Sequence, residues 1–186
     1  LKPKVVQSII SMAKNKMNGA IDFAKDVSDF RNERIAKIFK IYEDLLTANN
    51  ALDFDDMLLM TVNLLSKSPE VLAKYQSRFK HILVDEFQDT NLTQYKLISA
   101  LYGKEDANNL QKGSLCVVGD IDQSIYSWRG ADFRILLNFK KDYPSAEIIK
   151  LEQNYRSTEN ILNAANYIIS NNRERIRKEL YSLKGK

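Results

Sequence analysis

From His81 onward, short apolar runs alternate with stretches of helical periodicity. An apolar run covers 81–85, a helical stretch lies near 91–102, a second run covers 114–119, a helical stretch lies near 131–141, and a third run covers 146–151. The first run, Ile82-Leu83-Val84, is β-branched at both ends and flanked by polar residues, which predicts a strand buried in a parallel sheet. Strands alternating with helices predict an α/β arrangement, because parallel neighbours need a crossover long enough to hold a helix.

The chain ahead of this region reads as all helical. Val5, Val6, Ile9, Ile10, Ala13 and Met17 recur at helical spacing, with Gly19 as the expected stop. Ile35, Ile38, Phe39, Tyr42, Leu45 and Leu46 form a second apolar stripe. Asp53 is placed to cap a helix carrying Met57, Leu58, Met60, Val62 and Leu65, and Ser68-Pro69 to open another. Near the end, Ser157 or Thr158 can cap a helix bearing Ile161, Leu162, Ala165, Ile168 and Ile169. The polar, asparagine-rich stretch 103–113 reads as an exposed loop.

Each predicted strand runs into a polar cluster. Val84-Asp85-Glu86-Phe87-Gln88-Asp89-Thr90-Asn91 puts adjacent acids where a strand opens into the crevice in which α/β sheets bind ligands. One acid there can hold a magnesium ion that bridges terminal phosphates, and its neighbour can polarise an attacking water. We assign the first role to Asp85, with Glu86 as a further magnesium ligand, and the second role to Glu86. Two acids after a strand can also simply cap the following helix.

The second cluster runs from Val118 through Gly119, Asp120, Asp122 and Gln123 to Tyr126, Trp128, Arg129 and Asp132. Its first half is short and polar, suited to a nucleotide crevice, and the Gln123 amide can donate to phosphate or water. Tyr126 and Trp128 offer flat surfaces for unpaired bases and Arg129 a charge for a phosphate, unless the two rings are core aromatics. The third cluster, Leu151 to Thr158, contains Arg156, which can reach a γ-phosphate, and Tyr155, which can stack on a purine.

Composition restricts the setting. A formal charge of +4 permits nucleic-acid binding without requiring it. One cysteine and one histidine make a zinc site implausible, and Cys116, within an apolar run, is expected to be a buried strand residue. No apolar stretch is long enough to span a membrane and no secretory signal opens the chain, so an intracellular, cytoplasmic setting is expected.

In order and spacing, VDEFQDTN, VGDIDQSIYSWRGAD and LEQNYRST resemble motifs II, III and IV of the UvrD/Rep/PcrA group of superfamily 1 DNA helicases, with LDFDDML at 52–58 similar to the stretch before motif II. The resemblance implies a partial RecA-like parallel sheet with flanking helices, preceded by an all-helical subdomain. It implies residues 1–52 as the helical part of an inserted subdomain (1B), 53–152 as the second half of the first motor domain (1A), and 153–186 as the start of the second (2A). It further implies ATP and Mg2+ as cofactors, and single-stranded DNA and single-strand/duplex junctions as partners, with repair or replication proteins beside them. The implied activity is ATP-driven translocation and unwinding, 3′ to 5′. By the same resemblance, Asp85 and Glu86 are the magnesium-binding and catalytic acids, and Gln123 links the γ-phosphate to the DNA-binding loop. Tyr126 and Trp128 stack on bases beside Arg129, Tyr155 stacks on adenine, and Arg156 stabilises the transferring phosphate.

No Gly-x-x-x-x-Gly-Lys-[Ser/Thr] occurs in the sequence, so the expectation is of a helicase segment inactive by itself. Two other readings stand beside it: the helicase part of a RecB/AddA-type helicase-nuclease, which the Ser127-Trp128-Arg129-Gly130-Ala131 continuation disfavours, and a non-catalytic DNA-binding module.

Overall fold

The computed structural model describes residues 1–103 and 113–185; the expected loop at 103–113 thus lies largely outside the described residues. Five helices come first. In α1 (Pro3–Lys14) a proline occupies the first turn, where its missing N–H costs nothing, and Val6, Ile10 and Ala13 are buried. The helix stops before Met17, which takes a left-handed backbone (φ 67°), so the apolar period outlasts the helix itself. Gly19 is not its stop but the extended residue that leads into α2 (Ala20–Lys25).

Asp29 caps α3 (Phe30–Ala48) by accepting the Asn32 N–H at 2.8 Å. Only part of the expected stripe is inside: Ile35 and Phe39 are fully buried, whereas Ile38 and Leu45 face outward. Asp53 caps α4 (Phe54–Lys67) as expected, within a capping box completed by Asp56. Pro69 opens α5 (Pro69–Arg78). Val6, Ile10, Ala13, Ala20, Ile35 and Phe39 form the core of this helical region.

Beside that core Lys14 is fully buried and braces three helices. Its ammonium pairs at 2.7 Å with both Asp53 and Asp56, the Tyr42 hydroxyl donates to Asp53 at 2.9 Å, and the ammonium lies over the Phe39 and Tyr42 rings. Burial alone would lower the lysine pKa, but the hydrogen bonds that its ammonium donates to the two carboxylates raise it.

The sheet comes next. Strand β1 (His81–Val84) pairs in parallel with β2 (Ser114–Val117), His81 opposite Ser114 and Val84 opposite Val117. Helix α6 (Leu92–Tyr102) lies between them in sequence and packs on α4. Its cap is Asn91, in a capping box with Gln94, so Asp85 and Glu86 are free of that duty. Val84, Leu115 and Val117 line a second core around Phe87, Tyr95 and Tyr143; the Phe87 ring meets those of Tyr95 and Phe139 edge-on, and Tyr143 meets Tyr102 the same way.

The opposite face of the sheet is open. Leu83 is 77% exposed, Val118 50%, and Cys116 is exposed between them, which corrects the expectation of a buried cysteine. Side chains alternate along a strand, and in this two-stranded sheet only one of the two resulting faces is covered.

Two further expectations change. The helix near 131–141 is split into α7 (Arg134–Leu137) and α8 (Phe139–Asp142), with the Asn138 side chain turned back onto the Arg134 carbonyl at 2.9 Å. The third strand, 146–151, does not form; among the described residues no ladder receives it, and Ile148, Ile149 and Leu151 are exposed. A β-branched run permits an extended chain, but partner hydrogen bonds make a strand. Helix α9 (Glu159–Ile169) follows, and the chain then returns so that Tyr181 bridges Gln153. Among the described residues no helix is long and apolar enough to cross a membrane.

Candidate functional site

At the carboxyl end of β1 the chain must send Phe87 into the core while leaving its neighbours outside. Glu86 makes this possible by adopting a left-handed conformation (φ 50°), uncommon for a residue with a Cβ. Phe87 is then fully buried and its N–H donates to the Val118 carbonyl at 2.9 Å, while Asp85 and Glu86 stay exposed at the sheet edge. One Asp85 oxygen accepts the Glu86 N–H at 2.9 Å, and the other has no hydrogen bond among the described residues.

Gln88, which carries no role in the sequence reading, is the centre of the site. Only 1% exposed, its amide nitrogen donates to Glu86 Oε2 at 2.8 Å and to Asp89 at 3.3 Å, and its amide oxygen accepts the Asp120 N–H at 2.9 Å. The first polar cluster is thereby stitched to the second. Gly119 is needed for this approach: a Cβ there would stand 2.8 Å from Gln88 Oε1 and 3.1 Å from the Gln88 backbone nitrogen.

The stitch continues along the second cluster. Asp120 closes the turn Ile121–Gln123: one carboxylate oxygen accepts the Asp122 N–H at 3.1 Å and the other the Gln123 side-chain amide at 2.7 Å. Burial would raise the Asp120 pKa, but hydrogen bonds from Lys178 and Gln123 hold it below the usual carboxylate range. Glu86, Gln88, Asp120 and Gln123 thus form one hydrogen-bonded series.

Farther along the same loop Trp128 is 65% exposed and Tyr126 38%, so neither ring is a core aromatic. Their centroids are 6.4 Å apart, and the Arg129 guanidinium lies 4.6 Å from the Trp128 centroid and 5.5 Å from that of Tyr126. The turn Ser127–Arg129 that presents them is closed by Gly130 in a left-handed conformation (φ 89°). It is anchored back to the first cluster by the Asp132 N–H on the Thr90 carbonyl at 3.1 Å.

The third cluster stands apart. Tyr155 is 72% exposed and Arg156 is exposed, on a turn whose N–H groups at Arg156 and Ser157 both donate to Asn154 Oδ1 at 2.8 Å. Among the described residues neither side chain bonds to Asp85, Glu86 or Gln123.

Sequence reasoning also passed over Arg175 and Lys178, which pair with Asp122 and Asp120. No local pattern marks such long-range partners. The Asn91 cap, by contrast, was readable from the Asn-x-x-Gln spacing.

The family described as "UvrD/REP helicase N-terminal domain" matches residues 1–144. Two proteins named ATP-dependent DNA helicase PcrA, from Staphylococcus epidermidis (strain RP62A) and Staphylococcus aureus (strain Mu50), are each 48% identical over 181 residues. That alignment covers 97% of this chain and 24% of each relative, so the chain spans about a quarter of the length of the curated relatives it matches.

Proposed function

The chain belongs to the UvrD/REP helicase family, and from that premise we propose that it supplies the acidic and strand-facing part of an ATP-dependent motor. The motor translocates on single-stranded DNA and opens single-strand/duplex junctions, 3′ to 5′, in the cytoplasm. The observation that carries this reading is the buried Gln88 amide. It joins Glu86 to the loop that holds Gln123 and, farther along, the exposed Tyr126, Trp128 and Arg129. Residues 1–52 are then the helical part of the inserted subdomain, 53–152 the second half of the first motor domain, and 153–186 the start of the second.

The side chains suit the roles. Asp85, exposed with one oxygen unengaged among the described residues, fits a magnesium ion that takes one or two protein carboxylates and completes its shell with phosphate and water. Magnesium, when bound, supplies neutralisation of charge on the terminal phosphates of ATP. Glu86 accepts a proton from the attacking water, its other duty being the bond from Gln88 that fixes its orientation. Gln123 meets the γ-phosphate, Tyr155 stacks on adenine, and Arg156 neutralises charge that develops in the transition state. Tyr126 and Trp128 stack on bases irrespective of their identity, and Arg129 neutralises a phosphate.

The test is a pair of measurements on the full-length protein carrying Glu86→Gln. Nucleotide binding should persist while turnover falls about 100-fold or more. Unchanged turnover would remove Glu86 from the chemistry. The 186-residue chain alone, whose sequence contains no phosphate-binding loop, should hydrolyse no ATP.

A further inference from the structure

Arg175 and Lys178 lie on the segment that returns from α9, outside all three polar clusters. Arg175 meets Asp122 at 3.3 Å, with the two side chains only 12% and 7% exposed. The guanidinium is also held from behind, donating to the carbonyls of Ile169 and Lys178 at 3.1 Å each. Asn172 adds a 3.4 Å bond to Asp122. Lys178 pairs with the Asp120 oxygen that also receives the Asp122 N–H, while the second Asp120 oxygen receives the Gln123 amide. One carboxylate therefore separates the Lys178 ammonium from Gln123.

The same segment is fastened to the chain just ahead of Tyr155 and Arg156. The Glu179 N–H donates to the Glu152 side chain at 3.0 Å, the Tyr181 N–H to the Glu152 carbonyl at 3.1 Å, and the Asn154 N–H to the Tyr181 carbonyl at 2.8 Å. Ion pairs on an open surface contribute little, but these are largely withdrawn from water and tied into further hydrogen bonds, so removing one partner strands the other.

We infer that Arg175 and Lys178 are positioning residues that clasp the Asp120–Gln123 loop to the segment preceding Arg156, and that Lys178, acting through Asp120, orients the Gln123 side chain. Its consequence for ATP turnover, though not the clasp itself, rests on the reading of Gln123 given above.

Amide hydrogen exchange followed by NMR on the 15N-labelled chain decides it. In Lys178→Met, exchange at Asp122 and Gln123 should accelerate about tenfold, while Val118, bonded to Val84 across the sheet, keeps its protection. Lys178→Arg should restore the slow rate. Unchanged exchange in Lys178→Met, or equal acceleration in Lys178→Arg, overturns the clasp. Should Lys178→Met also lose protection at Val118, Lys178→Gln takes its place, since it removes the charge but keeps a polar side chain. Acceleration confined to Asp122 and Gln123 supports the clasp, and unchanged exchange there overturns it. In the full-length protein Lys178→Met should reduce DNA-stimulated ATP turnover severalfold with nucleotide Kd unchanged. Full stimulation overturns the link to Gln123. An unaltered full-length protein that hydrolyses no ATP overturns the nucleotide reading and leaves the clasp to be judged by exchange alone.

Discussion

Gln88 shows how much one amide can organise when it has both a donor and an acceptor and no access to water. Replacing it with alanine removes the bond to Glu86 and leaves the Asp120 N–H without its partner. Gln88→Ala is expected to cost about 1–3 kcal/mol of unfolding free energy, measured by chemical denaturation. A change below about 0.5 kcal/mol would show that water replaces the amide. Trp128 behaves in the opposite way, because its ring is mostly exposed. Trp128→Ala should leave stability within about 0.5 kcal/mol, yet weaken single-strand affinity of the full-length protein by about 1–3 kcal/mol with little base preference. A collapsed Tm would place the ring in the core after all. Asp85, Glu86, Tyr126, Trp128 and Arg129 stand out in the sequence by residue type, and the structure leaves all five exposed. The role of Gln88 was not legible in the sequence, since it depends on a partner 32 positions away.

At the scale of elements, the Asp53 cap was legible, the Gly19 stop was not borne out, and long-range partners were hidden. Asp53 was readable as a cap from local chemistry alone, and it forms one, within a capping box that the structure completes with Asp56. What no local rule reveals is that the same two acids also receive Lys14 from α1. Removing that ammonium leaves Asp56, 8% exposed, and Asp53, 23% exposed, facing each other without a counter-charge. Lys14→Met is therefore expected to destabilise the chain by about 3 kcal/mol, although methionine fills much of the lysine's volume. Thermal and urea melts compared with the unaltered chain check this, and a more stable variant would mean that the helices pack better without the charge. The run at 146–151 failed as a strand for the matching reason: extended propensity is local, but a ladder needs a neighbour, and among the described residues the nearby bridge joins Gln153 to Tyr181.

Across the whole molecule, two carboxylates fasten separate regions and both respond to acid. Burial would raise Asp53 and Asp120, but lysine hydrogen bonds outweigh it and hold each below its ordinary value, about 3.9. The stability each contributes is fully present above that value and is lost as pH falls through the depressed one. Lys14, raised in the folded chain, contributes stability below its ordinary value of about 10.4 and loses it only at still higher pH. The expected profile is a Tm that is level from about pH 5 to 8 and falls below about pH 4, more shallowly in Lys14→Met. A Tm that holds down to pH 2 would deny both fastenings. The helical first part and the strand–helix–strand order of β1, α6 and β2 were legible because periodicity survives without knowledge of contacts, whereas the third strand was not borne out. Which sheet face is covered was not legible.

The sequence contains one tryptophan, and its indole stands in the open with a guanidinium across it. The chain therefore carries a single indole emitter, separable from its tyrosines by excitation at the red edge of the absorption band, at the spot where a base is proposed to settle. Water around the ring should give red-shifted emission in the free chain, and a stacked nucleobase should quench it. Titration of an unlabelled oligonucleotide into the chain, with emission read from the indole alone, should report that stacking. An emission maximum already blue-shifted without DNA would mean that the indole is covered in solution, and a titration with binding but no quenching would mean that the strand passes elsewhere.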